Sequence, residues 1–481
     1  MTAKIRILTY MILMITGFTS IFLWIVQNQN FDIQKRLPGM DGTPDNVADI
    51  SENVVIGEFF KRFADDTPKD AKTNSHFDLK SWSRFRGNNF DGIVKENITV
   101  SDLKNLKNKI LWAVNLGEGH AGPVVYNEKV YILDYDETRK ADTLRCFSLE
   151  TGEEIWRRWY SVLVQKNHGM SRTVPAVNES YIVTIGPKCH VMCLDRKTGD
   201  LLWTVDLVKR FNAKVPLWYT GQCPLIDNDT AVLAPAGTSL VVGFDLKTGK
   251  ILWETPNKHS WAMSHASVMK GIIHGKEMYV YSAAGGVAGI SAMQESLGDI
   301  LWETDMWNHN VVAPSPVILK DSRIFLSAGY GSGSMMIKIN KINDHYEVEK
   351  SDEYKPDQGL ALEQQTAIYY KDHLFGIMPN DAGILRNRFA CFSPDNLRKP
   401  VWVSWKKSRY GLGPFMVVDD KFFILNDDVT LSVVSASVES YEELLRIKLF
   451  KGHDAWAPMA YSRGKLLLRD YKKMVCISIE G

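Results

Sequence analysis

One short stretch, Cys193-Leu-Asp195-Arg-Lys-Thr198-Gly199-Asp-Leu-Leu-Trp203, recurs through the chain, and that recurrence restricts the fold more than any other feature. Asp195 can accept backbone N–H bonds in a tight turn, Gly199 supplies the positive φ such a turn needs, and Leu201-Leu-Trp203 begins a strand. A second copy runs from Gly243 through Asp245, Thr248 and Gly249 to Trp253, and looser copies end at Trp156 and Trp302. The spacing, roughly 44–50 residues, is that of four-stranded propeller blades. Short β-branched and aromatic runs such as Val130-Tyr-Ile-Leu133 and Tyr181-Ile-Val-Thr184 lie between the tryptophans, and helical periodicity is scarce there.

Eight openings of an inner strand line up: Pro123, Pro175, Pro224, Ala266, Pro316, Thr366, Pro414 and Pro458, each followed by small or apolar residues. Outer strands follow at Trp156, Trp203, Trp253, Trp302, Tyr346, Trp402 and Leu444. The eighth copy stops at Val475–Ile479 without an outer strand, whereas Ile110-Leu-Trp112-Ala-Val114 has the tryptophan signature and no inner strands of its own. The expectation is an all-β, eight-bladed propeller over residues 110–481, closed by the N-terminal strand completing the last blade. Closure removes an open edge.

Ahead of the ring, Ile7 to Val26 is an apolar run preceded by Lys4 and Arg6, long enough to span a bilayer and without a small-residue cleavage pattern at its end. Residues 1–28 are expected to be a single transmembrane anchor in a bacterial inner membrane. The basic flank keeps the N-terminus in the cytoplasm and puts the rest on the periplasmic, extracytoplasmic side. Residues 29–80 read as a polar tether interrupted by the amphipathic segment Val54–Phe63, which either docks on the propeller's own side or meets a partner.

Residues 81–109 lead into the ring and open with Ser81-Trp82-Ser-Arg84-Phe85-Arg86-Gly87-Asn-Asn-Phe90-Asp91-Gly92. This opening, followed by Asp-x-x-Thr-Gly-x-x-x-Trp repeats, resembles the pyrroloquinoline-quinone-like β-propeller repeat family over residues 81–481. The resemblance implies the propeller fold. It allows two kinds of function: quinoprotein dehydrogenases holding quinone and calcium on the axis, and cofactor-free scaffolds such as the propeller of the outer-membrane barrel assembly machinery. Many alcohol-oxidising members carry two adjacent cysteines near the quinone; no Cys-Cys pair occurs among the six cysteines here. No catalytic residue is carried over, and pyrroloquinoline quinone with calcium is expected only under the oxidoreductase alternative. Arg84 and Arg86 are read as ties to neighbouring carboxylates or carbonyls.

The loops from each outer strand to the next inner strand converge at one mouth of the channel. They hold His120, His168, Arg172, Trp218, Tyr219, His265, His309, Arg409, His453 and Trp456, and five of the 11 histidines are among them. Aromatic walls with a few convergent polar groups suit a ligand pocket, so this set is the candidate ligand site. The repeat tryptophans are assigned to packing, and Gly329-Tyr-Gly-Ser-Gly333 is read as a turn. The mouth loops present no recognisable metal-ligand spacing, and none is expected. A net charge of +1 gives no pull toward nucleic acid. Six cysteines are too few for a disulfide scaffold. Cys146 and Cys193 sit six residues before a turn glycine, where other blades carry Gly243 and Ala292, and are read as packed free thiols. The reading is a membrane-anchored binding or assembly scaffold whose partner is an envelope protein or peptide, or a small aromatic or anionic ligand; the alternative is a quinone-dependent oxidoreductase.

Overall fold

The computed structural model describes residues 11, 14–20, 23, 56–59, 80–100, 103–165, 169–343 and 345–480, and the chain divides into two units, residues 1–42 and 43–481. In the first unit, residues 14–20 are helical, and the Thr19 hydroxyl donates to the Ile15 carbonyl at 2.6 Å. Among the described residues no helix is long and apolar enough to cross a membrane. Most of the expected anchor and tether lies outside the described residues.

The second unit is a ring of eight antiparallel sheets; in seven of them four consecutive strands run from inner to outer in sequence order, and the eighth takes its outer strand from the N-terminal side of the ring. In blade 2 the strands are Ala176–Val177, Tyr181–Ile185, His190–Asp195 and Leu201–Asp206. The Asp-Thr-Gly turn behaves as its residues dictate. Asp195 Oδ1 accepts from the N–H groups of Lys197 and Thr198, both at 2.8 Å, and Gly199 takes φ +70°. In blade 3, Asp245 accepts from Thr248 N–H at 2.7 Å and Gly249 takes φ +68°.

That glycine also seats the tryptophan of the preceding blade. A Cβ built on Gly199 would lie 3.1 Å from the Trp156 ring, and one on Gly249 would lie 2.7 Å from Trp203. Trp253 is seated in the same way on Gly298, and Trp112 on Gly152. Each dock hides a large aromatic face between two blades, and the indole of Trp203 adds a hydrogen bond to the Leu246 carbonyl at 2.8 Å. Directly across the strand from each tryptophan stands a small residue: Cys146, Cys193, Gly243, Cys391 or Cys476. In blade 4 the place is filled by Gly289, three residues earlier than the expected Ala292, because that blade's turn is longer. All six cysteines are free and buried.

The ring closes as expected. Ile110–Asn115 pairs antiparallel with Lys473–Ser478, placing Trp112 opposite Cys476. Blade 1 gains a fifth strand, because Ile56–Phe59 pairs antiparallel with its outer strand Glu154–Ser161. Residues 56–59 of the amphipathic segment thus dock on the propeller's own side along that blade's edge, and the rest of the segment lies outside the described residues.

The lead-in segment does more than connect. Trp82 exchanges two backbone hydrogen bonds with Val125 of blade 1, and the Ser83 carbonyl accepts from Val177 of blade 2. Arg84 donates to the Ile226 carbonyl of blade 3 at 2.8 Å. Arg86 donates to the carbonyls of Thr366 (3.0 Å) and Ala367 (2.8 Å) of blade 6, and Gly92 and Val94 bond with Val417 of blade 7. Arg84 and Arg86 are two residues apart yet tied to well-separated blades, so the segment crosses the central channel with Phe85 between them. The arginines act on carbonyls, as the sequence suggests.

Candidate functional site

A cavity of about 860 Å³, part of it open to solvent, occupies the axis on the junction side of this crossing segment. Its lining includes Phe85 of the crossing segment and the junction residues His120, Arg172, Trp218, His265 and Trp456. Half of the ten candidate residues thus meet in one place. Phe85 contributes to its wall on the side of the crossing segment.

Two aromatic walls define it. On one side Trp218 stacks with Tyr330 (ring centroids 5.5 Å, 29° between planes) and with His265 (6.2 Å, 28°). On the other, His120 stacks on Trp456 at 4.7 Å and 29°, and its ring lies 5.4 Å from that of Tyr471. The indole N–H groups of Trp218 and Trp456 are buried without an acceptor among the described residues.

Arg172 is the cation of the site. Burial draws its guanidinium down to about 10, still charged at neutral pH, and the hydroxyls of Tyr330, Tyr471 and Tyr219 pull the other way. Burial, reinforced by the Arg172 charge, lowers His265 to about 3 despite a hydrogen bond to the Leu217 backbone that favours the charged form. The imidazole is neutral at pH 7. Glu363 supplies the carboxylate among the lining residues; burial and the neighbouring Asp381 raise it above the ordinary range. Cys223 also lines the cavity, but burial lifts its thiol to about 11 and its sulfur accepts from Val174 N–H at 3.2 Å, so it is not nucleophilic.

The other candidates lie elsewhere. Arg409 forms a two-point ion pair with Asp427, both contacts 2.9 Å, and does not face the cavity. His453 is largely exposed and contacts Asp454 at 3.1 Å. His309 packs edge-on against Trp307 at 4.2 Å. The Tyr219 hydroxyl accepts from Gln165 N–H at 2.8 Å, which supports a loop. His168 lies outside the described residues.

Sequence reasoning missed Tyr330 and Glu363. Tyr330 sits at the tip of the glycine-rich hairpin set aside as a turn, in left-handed backbone (φ +56°) with its ring over the cavity mouth. The turn joining the second and third strands of a blade lies at the same mouth as the outer-to-inner junctions. Surveying those turns as well would have raised Tyr330 and Tyr471.

The model of the family described as outer membrane protein assembly factor BamB matches residues 140–396, more than half of the chain. The chain belongs to that family. Of the cavity residues, Arg172, Trp218, His265, Tyr330 and Glu363 lie within the stretch matched by the BamB family, whereas Phe85, His120 and Trp456 lie outside it. Among solved structures, BamB from Moraxella catarrhalis is 11% identical with a TM-score of 0.51, covering 76% of this chain and 97% of that one. The computationally designed Ika8 protein is 9% identical with a TM-score of 0.50, covering 77% and 99%. At these identities the likeness is one of fold. Tetrathionate hydrolase of Acidithiobacillus ferrooxidans is 24% identical over 204 residues, 36% of this chain and 40% of that protein, so the chain spans less than half of that relative's length.

The lining does not fit a calcium-held quinone. Glu363 stands without a second carboxylate in the cavity, and among the described residues no three His, Cys, Asp or Glu side chains gather as a metal site.

Proposed function

We propose that this propeller is a binding scaffold of the bacterial envelope, held at the inner membrane by residues 1–28 with the ring outside the cytoplasm, and that its axial cavity takes the anionic group of a small aromatic ligand. One observation carries the ligand half of the reading: a charged arginine, Arg172, lines the same axial cavity as two aromatic walls. A charge-assisted bond to the guanidinium and stacking on Trp218 and Trp456 supply the affinity. The scaffold half is supported by membership of the BamB family, whose description is an assembly factor. The oxidoreductase alternative has no support from the cavity's carboxylates.

Benzoate is the simplest probe. It should quench intrinsic tryptophan fluorescence saturably, and Arg172→Gln should weaken it at least tenfold while Arg409→Gln leaves it in place. Equal benzoate affinity in the Arg172→Gln protein would sink the ligand reading. Release of the protein from membranes by an alkaline carbonate wash would sink the anchor.

A further inference from the structure

Arg172 and Glu363 come from corresponding positions of different blades. Arg172 stands a few residues before the inner strand of blade 2, Ala176–Val177, and Glu363 a few residues before that of blade 6, Ile368–Tyr370. In an eight-membered ring these blades are diametrically opposed. The cavity thus has a cation on one side of the axis and a carboxyl on the other, and both line the same space. The two aromatic walls fill the sides between them: Trp218, His265 and Tyr330 on blades 3 to 5, and Trp456 and His120 on blades 8 and 1.

Glu363 is held in place rather than left to swing away. Its side chain packs on Gly329, where any Cβ would run into it, and the same hairpin is pinned by Asp381 accepting from Gly331 N–H at 2.9 Å. Burial raises the hydroxyl of Tyr330 at the hairpin tip, and the two charged groups act on it in opposite senses, Glu363 raising it and Arg172 lowering it. A half-buried carboxyl facing aromatic rings is unfavourable without a cation, and aromatic faces themselves favour one.

Resting on the reading of the cavity as an anion site, we infer that its ligand is a zwitterion lying across the axis, with its anionic group on Arg172 and an ammonium group on Glu363. The intervening part of the ligand lies between the aromatic walls. A ligand with only the anionic group leaves Glu363 without a counter-ion, and this is where the specificity resides.

The test uses the full-length protein and three probes that share one ring: 4-(aminomethyl)benzoate, benzoate and benzylamine, titrated by tryptophan fluorescence and calorimetry. The zwitterion should bind at least tenfold more tightly than benzoate. Glu363→Gln should abolish that advantage while strengthening benzoate binding, because a neighbouring anion is gone; Arg172→Gln should weaken both carboxylates. An advantage for the zwitterion that is absent in the wild type, or kept in Glu363→Gln, overturns this inference, and Arg172-dependent benzoate binding would still support the simpler anion site. Failure of all three probes at millimolar concentration removes both. Melting temperatures of the variants near that of the wild type establish that the losses are local.

Discussion

The indole of Trp112 lies against Gly152: a Cβ on that glycine would come within 2.5 Å of the ring, and the indole N–H donates to the Leu149 carbonyl at 3.0 Å. Trp112 is on the first strand of the ring and Gly152 on a turn of blade 1, so this contact locks the closing strand to the blade that follows it. Trp112→Ala should cost about 3–5 kcal/mol, the range for large aromatic truncations in cores. Chemical denaturation measures it. A loss under about 1 kcal/mol would mean that closure does not depend on the dock.

Removal of the strand that pairs with Ile110–Asn115 should have a wider effect. A chain ending at Lys472 lacks Lys473–Ser478, leaving Trp112 without its cross-strand partner Cys476 and two strand edges open. The expected result is a lower melting temperature for the whole ring and a tendency to aggregate. A shortened chain that melts like the full-length protein would refute the closure.

The crossing segment should depend on Arg86. Its guanidinium donates to the carbonyls of Phe90 (2.8 Å), Asp91 (3.2 Å), Thr366 (3.0 Å) and Ala367 (2.8 Å). Hydrogen bonds to a charged group are worth about 1.5–3 kcal/mol each and are not additive, so Arg86→Ala should cost at least about 3 kcal/mol. It should also speed amide hydrogen exchange at Gly92 and Val94, which pair with Val417. Unaltered exchange there would show that the segment is held by something else.

Asp142 should set part of the protein's pH dependence. It is fully buried and accepts from the hydroxyls of Ser171 (2.8 Å) and Tyr160 (3.2 Å), yet burial, aided by Asp134, lifts its carboxyl to about 7. The folded form therefore holds this proton more tightly than the unfolded chain, whose carboxyl has the ordinary value of 3.8. Its contribution to stability is fully present below pH 3.8 and declines as pH rises through about 7. With each tenfold change in proton affinity worth about 1.4 kcal/mol, the decline is on the order of 4 kcal/mol. Asp142→Asn should flatten the stability profile between pH 4 and 7, read from denaturation midpoints. Identical slopes in the variant and the wild type would place the titration elsewhere.

The blade count, the order of inner and outer strands and the closing partner were legible in the chain because each depends on short-range patterning. An Asp-Thr-Gly turn, a strand of alternating burial and a tryptophan recur at fixed spacing, and the dock from Trp156 to Gly199 repeats in the next blade as Trp203 to Gly249. Blade 4 marks the limit of that rule. Its longer turn moved the small residue opposite Trp302 from the expected Ala292 to Gly289, a register that only strand pairing sets.

The site was decided by tertiary structure. Arg172 and Arg409 occupy comparable junctions and look alike in sequence, but Arg409 finds Asp427 in a turn of its own blade and pairs with it, whereas Arg172 enters the cavity. The path of residues 81–94 across the channel follows from arginine bonds to carbonyls more than 100 residues away, and those carbonyls carry no sequence signature. Local repeats specify what each blade is, because their interactions lie within one blade or between neighbours. Which side chains meet on the axis depends on contacts between distant blades, and those exist only once the ring has closed.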